Sequence, residues 1–310
     1  MARRSSALAL LLLALASGAD AATLRVGPGE RFATPSAAAA AARPGDRVLI
    51  RAGRYRDCAV WRAADLDIAA EGGEAVIFGP VCQGKALFVV AAPRVTITGL
   101  AFEGAVAPSG NGGGIRAEGG DLTVRRVRFE NNQTSILTAL SIPTATVVIE
   151  DSLFRGQGAA LPNGTCLAHG IYANPLTLLA IRRSRFEETR TCHHIKSRAA
   201  RTEITDTTIL DGAETTTSYL IDISNGGDLL LTRSTLRKGP NTGNPGAAVV
   251  IGAEGVRHPT ASIVIEGNRF ENRLPRGTVF VRNLTATPAT LTGNTFAGRI
   301  IPLEGPGTIR

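Results

Sequence analysis

An all-β chain wound as a single-stranded parallel β-helix of about ten coils is the fold class that this sequence predicts. Three observations lead there. One eight-residue phrase returns eight times from Val95 onward, the copies are almost evenly spaced, and no amphipathic helix of crossover length lies between them. The last point excludes βαβ units, whose parallel strands need a connection of that size.

The phrase runs apolar, x, apolar, x, small or charged, any, any, and closes on Phe, Leu or Ile. Its copies are "VTITGLAF", "LTVRRVRF", "VVIEDSLF", "LAIRRSRF", "TEITDTTI", "LLLTRSTL", "IVIEGNRF" and "ATLTGNTF". Their third residues are Ile97, Val124, Ile149, Ile181, Ile204, Leu231, Ile265 and Leu291, with steps of 27, 25, 32, 23, 27, 34 and 26. The two long steps fit loop insertions. Alternation within each copy is the period-2 mark of a strand with one buried face. A strand repeated every ~25 residues buries that face by stacking on its own copies. The third residues then form one interior ladder, and Phe102, Phe129, Phe154, Phe186, Phe270 and Phe296 a second. A large β-sandwich is the rival architecture, but it gives no reason for one phrase to appear eight times.

Taken from its start, the chain opens with "MARRSSALALLLLALASGADA": Arg3 and Arg4, an apolar run, then Ala19-Asp20-Ala21 as a small-residue cleavage site. This reads as a secretory signal peptide over residues 1–21, because the apolar run is too short to span a bilayer and no second one follows. The rest, residues 22–310, reads as one domain. Its net charge remains positive, as it does for the whole chain at +8. An acidic partner such as a uronate polysaccharide suits that charge, although a lineage rich in arginine has the same signature. A secreted or periplasmic location would oxidise Cys58, Cys82, Cys166 and Cys192. Four cysteines allow three pairings, and the one-coil spacings of 24 and 26 favour Cys58–Cys82 and Cys166–Cys192. Residues 22–47 read as an N-terminal cap, with a short alanine-rich helix from about Ser36 that stops at Pro44-Gly45. A cap there covers the unpaired edge that an open solenoid end exposes.

The capping helix followed by "PGDRVLIRAGRY", with the "GNRF" and "GNTF" coils, resembles the pectate lyase-like superfamily of right-handed parallel β-helices. The likeness covers essentially the whole mature chain. It implies a right-handed coil and leaves the reaction open, since that superfamily holds lyases, hydrolases, epimerases, adhesins and inert scaffolds.

The segment "TCHHIKSRAARTEITD", residues 191–206, gathers two histidines, a lysine and two arginines into its first eleven positions. Counted back from the following strand, Ile171, Ile195 and Ile221 hold matching positions on successive coils and are expected to point inward. Their successors Tyr172, Lys196 and Asp222 then point outward together, with Asn174 and Arg198 in the neighbouring column. His194 and Tyr219 precede that column, and Glu254 reaches it from the next coil. These residue types suit a uronic acid: Arg or Lys neutralises the carboxylate and acidifies the C5 proton, and Lys, His or Tyr removes it. Lys196, Arg198, His194, Tyr172 and Asp222 are therefore the candidate catalytic set. A cross-strand ion pair between Lys196 and Asp222 fits the same spacing without any chemistry. The stretch "HHIKSRAARTEITDTTILDG" also resembles the "KS" coil of the chondroitinase B and alginate lyase type, whose lysine is the proposed base. Lys196 and Ser197 match it. The arginine which that family carries on the next coil is replaced here by Asp222, and its acidic calcium-binding set has no clear counterpart.

Other motifs add little chemistry. "CLAH" and "CHH" hold zinc-type ligands, but at a spacing foreign to structural zinc sites, and oxidation of Cys166 with Cys192 competes. No cofactor is expected, and calcium stays open without a clear ligand cluster to hold it. The glycine- and asparagine-rich turns 224–228 and 238–246 could line a cleft, so Asn225 and Asn244 join His169, Asn174, Tyr219 and Glu254 as candidate substrate-binding residues. "SGNGGGIRAEGGD" lacks the spacing and following helix of a phosphate cradle. A single Trp and three Tyr argue against nucleic acid. The expectation is a monomer that acts on a uronate-containing polysaccharide by β-elimination or C5 epimerisation. The rival is a non-catalytic carbohydrate-binding or envelope-associated β-helix.

Overall fold

The computed structural model describes residues 21–161 and 163–310, so the leader expected over residues 1–21 falls, but for Ala21, outside the described residues. The repeated phrase bends in its middle, and each half is a strand. In one coil, for example, Leu122–Arg125 and Arg128–Glu130 are followed by a third strand, Thr134–Thr138. The strands of these three faces pair in parallel with their equivalents one coil on, and the third strands make a continuous ten-stranded sheet from Ala59–Trp61 to Ile300–Glu304; Ala159–Ala160 and Cys166–Ala168 form a small antiparallel pair beside them. The long strands Arg47–Arg56 and Asp67–Phe78 run round the bend and join the two phrase faces at the N-terminal end. The chain is a right-handed parallel β-helix.

Both interior ladders have the predicted register. Ile97, Val124, Ile149, Ile181, Ile204, Leu231, Ile265 and Leu291 pair in unbroken succession. So do Phe102, Phe129, Phe154 and Phe186, continued through Ile209 and Leu236 to Phe270 and Phe296, although Phe296, on the last full coil, is 37 % exposed rather than interior. The phenylalanine rings stack at 4.2–5.3 Å from Phe102 to Phe186. Each buried ring contributes roughly 2–3 kcal/mol, which the small interior of a thin solenoid needs.

The bend explains the two positions that carry no hydrophobic signal. The fifth residue of every copy has positive φ, whether Gly99, Gly267 and Gly293 or Arg126, Asp151, Arg183, Asp206 and Arg233. A left-handed corner costs about 1 kcal/mol in a residue with a Cβ. Outward ion pairs across the corner, Asp151–Arg183 and Asp206–Arg233 at 2.8 Å, offset part of that. The sixth residue turns inward. Ser152, Ser184, Thr207, Ser234, Asn268 and Asn294 form a polar column in which each of the last five accepts the backbone N–H of its predecessor, at 2.9–3.4 Å. This column supplies the hydrogen-bond partners that a buried bend would otherwise lack. Asn268→Ala removes both the acceptor for Ser234 N–H and the Nδ2 donor to Leu231 O. It is expected to cost roughly 2 kcal/mol, read as a lower urea midpoint with an unchanged slope.

In the cap, Thr34 starts the helix Pro35–Ala41 and accepts from Ala37 N–H at 3.3 Å, while Pro35, Ala38 and Ala39 are buried beneath. A strand precedes the helix: Thr23–Val26 already pairs with Arg47–Ile50 as the first rung. Both expected disulfides are present, Cys58–Cys82 near the cap and Cys166–Cys192 in the middle of the solenoid. Among the described residues, no helix is long and apolar enough to cross a membrane.

Candidate active site

The ten-stranded face carries the site. Ile171, Ile195 and Ile221 pair and are fully buried, so alternation turns their successors outward. Tyr172 lies beside Lys196 and Lys196 beside Asp222 on successive rungs. Leu137 on one side and Val250 on the other close the polar column to three rungs. Gly170 permits the close approach of the first two coils, because a Cβ there would stand 2.3 Å from His194 O.

Although it faces outward, Lys196 is only 7 % exposed. Burying a lone ammonium is prohibitive, and here two carboxylates meet it: Nζ donates to Asp222 Oδ2 at 2.7 Å and to Glu254 Oε1 at 2.8 Å. Arg198 grips the other oxygen of Glu254 through Nε at 2.8 Å and shares Oε1 through Nη2 at 3.0 Å. Its remaining nitrogen, Nη1, donates to Tyr172 Oη at 2.8 Å and to Asn174 Oδ1 at 3.0 Å. The guanidinium also sits over the Tyr172 ring at 5.1 Å. Asn174 is held in turn by Thr138, which accepts from Nδ2 through its carbonyl at 2.7 Å. Burial works against the Arg198 charge, but the hydrogen bonds to Glu254 and Tyr172 outweigh it and raise its pKa. The Glu254 carboxyl is pulled down to about 2, first by the Arg198 hydrogen bond.

Beside this cluster three rings stack along the solenoid axis, His169 on His193 at 4.9 Å and His193 on Tyr219 at 5.5 Å. Burial pushes His169 well below its ordinary value, and it lowers His193 to about 4 despite Asp222. Both are neutral near pH 7. His193 Nδ1 sits against the Tyr219 backbone, 3.1 Å from its N–H and 3.2 Å from its carbonyl oxygen, and Nε2 stands 3.6 Å from Asp222 Oδ2. The disulfide fixes this stack, since Cys192 adjoins His193 and Cys166 lies three residues before His169. Cys166, His169 and Cys192 do come within 4.8 Å of one another, the grouping that the zinc reading asks for. The sulfurs, however, are joined to each other and are no longer ligands.

Of the sequence candidates, the structure brings Tyr172, Asn174, Lys196, Arg198, Asp222 and Glu254 into one hydrogen-bonded group, with His169 and Tyr219 at its edge. His194 is not on this face. It is wholly buried, bonded through Nδ1 to Thr189 Oγ1 at 2.8 Å and through Nε2 to Asp211 Oδ1 at 2.9 Å. The chain turns a corner before Ile195, so alternation does not extend back to residue 194. Asn225 is 2 % exposed, and its carbonyl anchors Arg257 and His258 N–H. Asn244 is engaged in its own turn, with Ser218 and Gly246. Neither presents its amide to the cluster. The residue that sequence reasoning missed is His193. The signal existed: His169, His193 and Tyr219 repeat the 24 and 26 spacing of Tyr172, Lys196 and Asp222. The surface groove lined by Arg155, Glu188, Arg190 and Glu214 shares no residue with this cluster, so chemistry singles the cluster out.

A right-handed parallel β-helix with a charge-balanced, tyrosine-bearing cluster on one face is thus the class that the fold and site define. No family model and no curated protein matches the sequence. Among solved structures it is similar to an alginate lyase from Paenibacillus sp. str. FPU-7, with 17% identity and a TM-score of 0.67 over 92% of this chain and 99% of that one. It is also similar to pectate lyase Pel9A, with 13% identity and a TM-score of 0.59 over 92% and 78%. A third is DFA-IIIase from Arthrobacter chlorophenolicus A6, with 12% identity and a TM-score of 0.54 over 86% and 83%. Identities this low establish a common fold and nothing finer.

Proposed function

We propose that the protein is an exported enzyme that removes the C5 proton of a uronate residue in an acidic polysaccharide, leading to β-elimination or C5 epimerisation. The observation that carries this reading is the division of Arg198: one edge binds a carboxylate beside Lys196, and the other donates to a tyrosine hydroxyl. A uronate needs both functions a few ångströms apart. Lys196 and Arg198 would hold its carboxylate and stabilise the negative charge that spreads onto it as the C5–H bond breaks. Tyr172 would act as its phenolate, whose Oη takes that proton and becomes the hydroxyl, with Arg198 Nη1 at 2.8 Å stabilising the negative oxygen beforehand. In elimination, the C5 electron pair forms the C4–C5 double bond, the C4–O bond breaks, and the leaving oxygen takes up the proton that Tyr172 has accepted, which restores the phenolate. In epimerisation, C5 is reprotonated from the opposite face.

Two disulfides, with the leader expected over residues 1–21, support export. Two of the proteins that share the fold are, by name, lyases of alginate and of pectate, both acidic polysaccharides. Pure binding is the second reading, favoured by the way the protein's own carboxylates already satisfy Lys196 and Arg198. Incubation with a panel of uronate polymers separates the readings. Elimination gives the ultraviolet absorbance of an unsaturated product, and epimerisation in heavy water places deuterium at C5 without it. Binding of a polymer with neither change, across the whole panel, would leave only the carbohydrate-binding reading.

A further inference from the structure

Glu254 is placed differently from the other carboxylate of the cluster. Asp222 is enclosed, its side chain 4% exposed, whereas that of Glu254 is 36% exposed and lies on the open side of the same ammonium. Its two oxygens take three hydrogen bonds from Lys196 and Arg198. The backbone beneath it is pinned: Glu254 N–H donates to Ser224 O, Arg257 and His258 N–H to Asn225 O, and His258 Nε2 meets Arg198 O at 2.9 Å. The loop is therefore fixed, and only the Glu254 side chain has room to swing out.

Charge counting assigns it a role. Lys196 and Arg198 face Asp222 and Glu254, two cations against two anions, with His169 and His193 neutral. With Glu254 swung away, one positive charge remains at a fork shaped for a carboxylate. We propose that Glu254 is a built-in occupant of the substrate-carboxylate subsite, which an unesterified uronate must displace to bind. This rests on the uronate reading given above and makes it narrower: a neutral or esterified sugar cannot compete for the fork.

The test is equilibrium binding of monomeric glucuronate, galacturonate, mannuronate and guluronate, which hold no glycosidic bond to cleave, with glucose as the neutral control. Glu254→Gln removes the charge at constant shape, and Glu254→Ala also clears the space. Both variants should bind at least one uronate roughly tenfold more tightly than the unaltered protein, with glucose binding unchanged; tenfold is a modest value for uncovering a charge-assisted pair. Affinities unchanged or weaker for all four uronates, in variants with the parent melting temperature, would overturn the proposal. Tighter uronate binding without product from any polymer would instead refute catalysis and keep the subsite. Product formation with no effect of Glu254 would do the reverse.

Discussion

Tyr172→Phe is expected to lower turnover of the responsive uronate polymer by a factor of roughly 10²–10⁴, while substrate affinity changes only a few-fold. The substitution deletes one oxygen. It removes the acceptor of the Arg198 Nη1 hydrogen bond at 2.8 Å but leaves Nη1 with Asn174, and Glu254 with both its cations. The ring, half-buried beneath the guanidinium, keeps its packing. A residue that acts only in the transition state lowers kcat and kcat/KM together, whereas one that merely helps to bind raises KM. Lys196→Ala is a poorer probe of chemistry. It strips Asp222 of its one short ion pair in a buried place, a loss of 3–5 kcal/mol that would mix instability with inactivity. Full turnover in the Phe variant would remove Tyr172 as the base and with it the proposed proton transfer.

That Tyr172, Lys196 and Asp222 line up was legible because a parallel solenoid converts sequence spacing into contact. Inward isoleucines at 171, 195 and 221 fix the alternation, and a slip by one would bury Lys196 without a partner. The same logic failed at two kinds of place. Before Ile195 the chain is in a corner, so His194, read as an outward neighbour, is committed to the buried Asp211 while His193 takes the face. Alternation carries no information across a bend. The repeated phrase hid the second kind. Its sixth residue varies among Leu, Val, Ser, Thr and Asn, which looks like tolerance, yet in most copies the requirement is for a short side chain that accepts a hydrogen bond in the dry bend. Hydrophobic pattern finds positions that exclude water and is blind to polar ones buried for a hydrogen bond.

Lys238 belongs to that blind spot and gives the second large effect. Read from the sequence it opens the turn 238–246. In the structure it ends the strand Thr235–Lys238 on the inward side, two residues after buried Leu236, and is itself fully buried. Among the described residues its Nζ has a single hydrogen-bond partner, Ser218 O at 2.7 Å, and burial pushes its pKa from 10.5 down to about 8, with Asp211 opposing in part. The unfolded chain therefore holds this proton more tightly than the native one. Between pH 8 and 10.5 the unfolded state binds more protons, so the contribution of Lys238 to stability rises with pH across that window and is a constant penalty below it. At ~1.4 kcal/mol per pKa unit the swing is roughly 3 kcal/mol. Lys238→Met keeps the volume and removes the titration. Urea unfolding of both proteins at about pH 7.5, 9 and 10.5, chosen to span the two pKa values, should show the unaltered protein gaining roughly 3 kcal/mol on the variant. Groups that titrate in both proteins, such as the tyrosines, cancel in that difference. Parallel pH profiles for the two would mean that Lys238 stays charged at no cost in the native state, and that the buried ammonium has a partner other than Ser218.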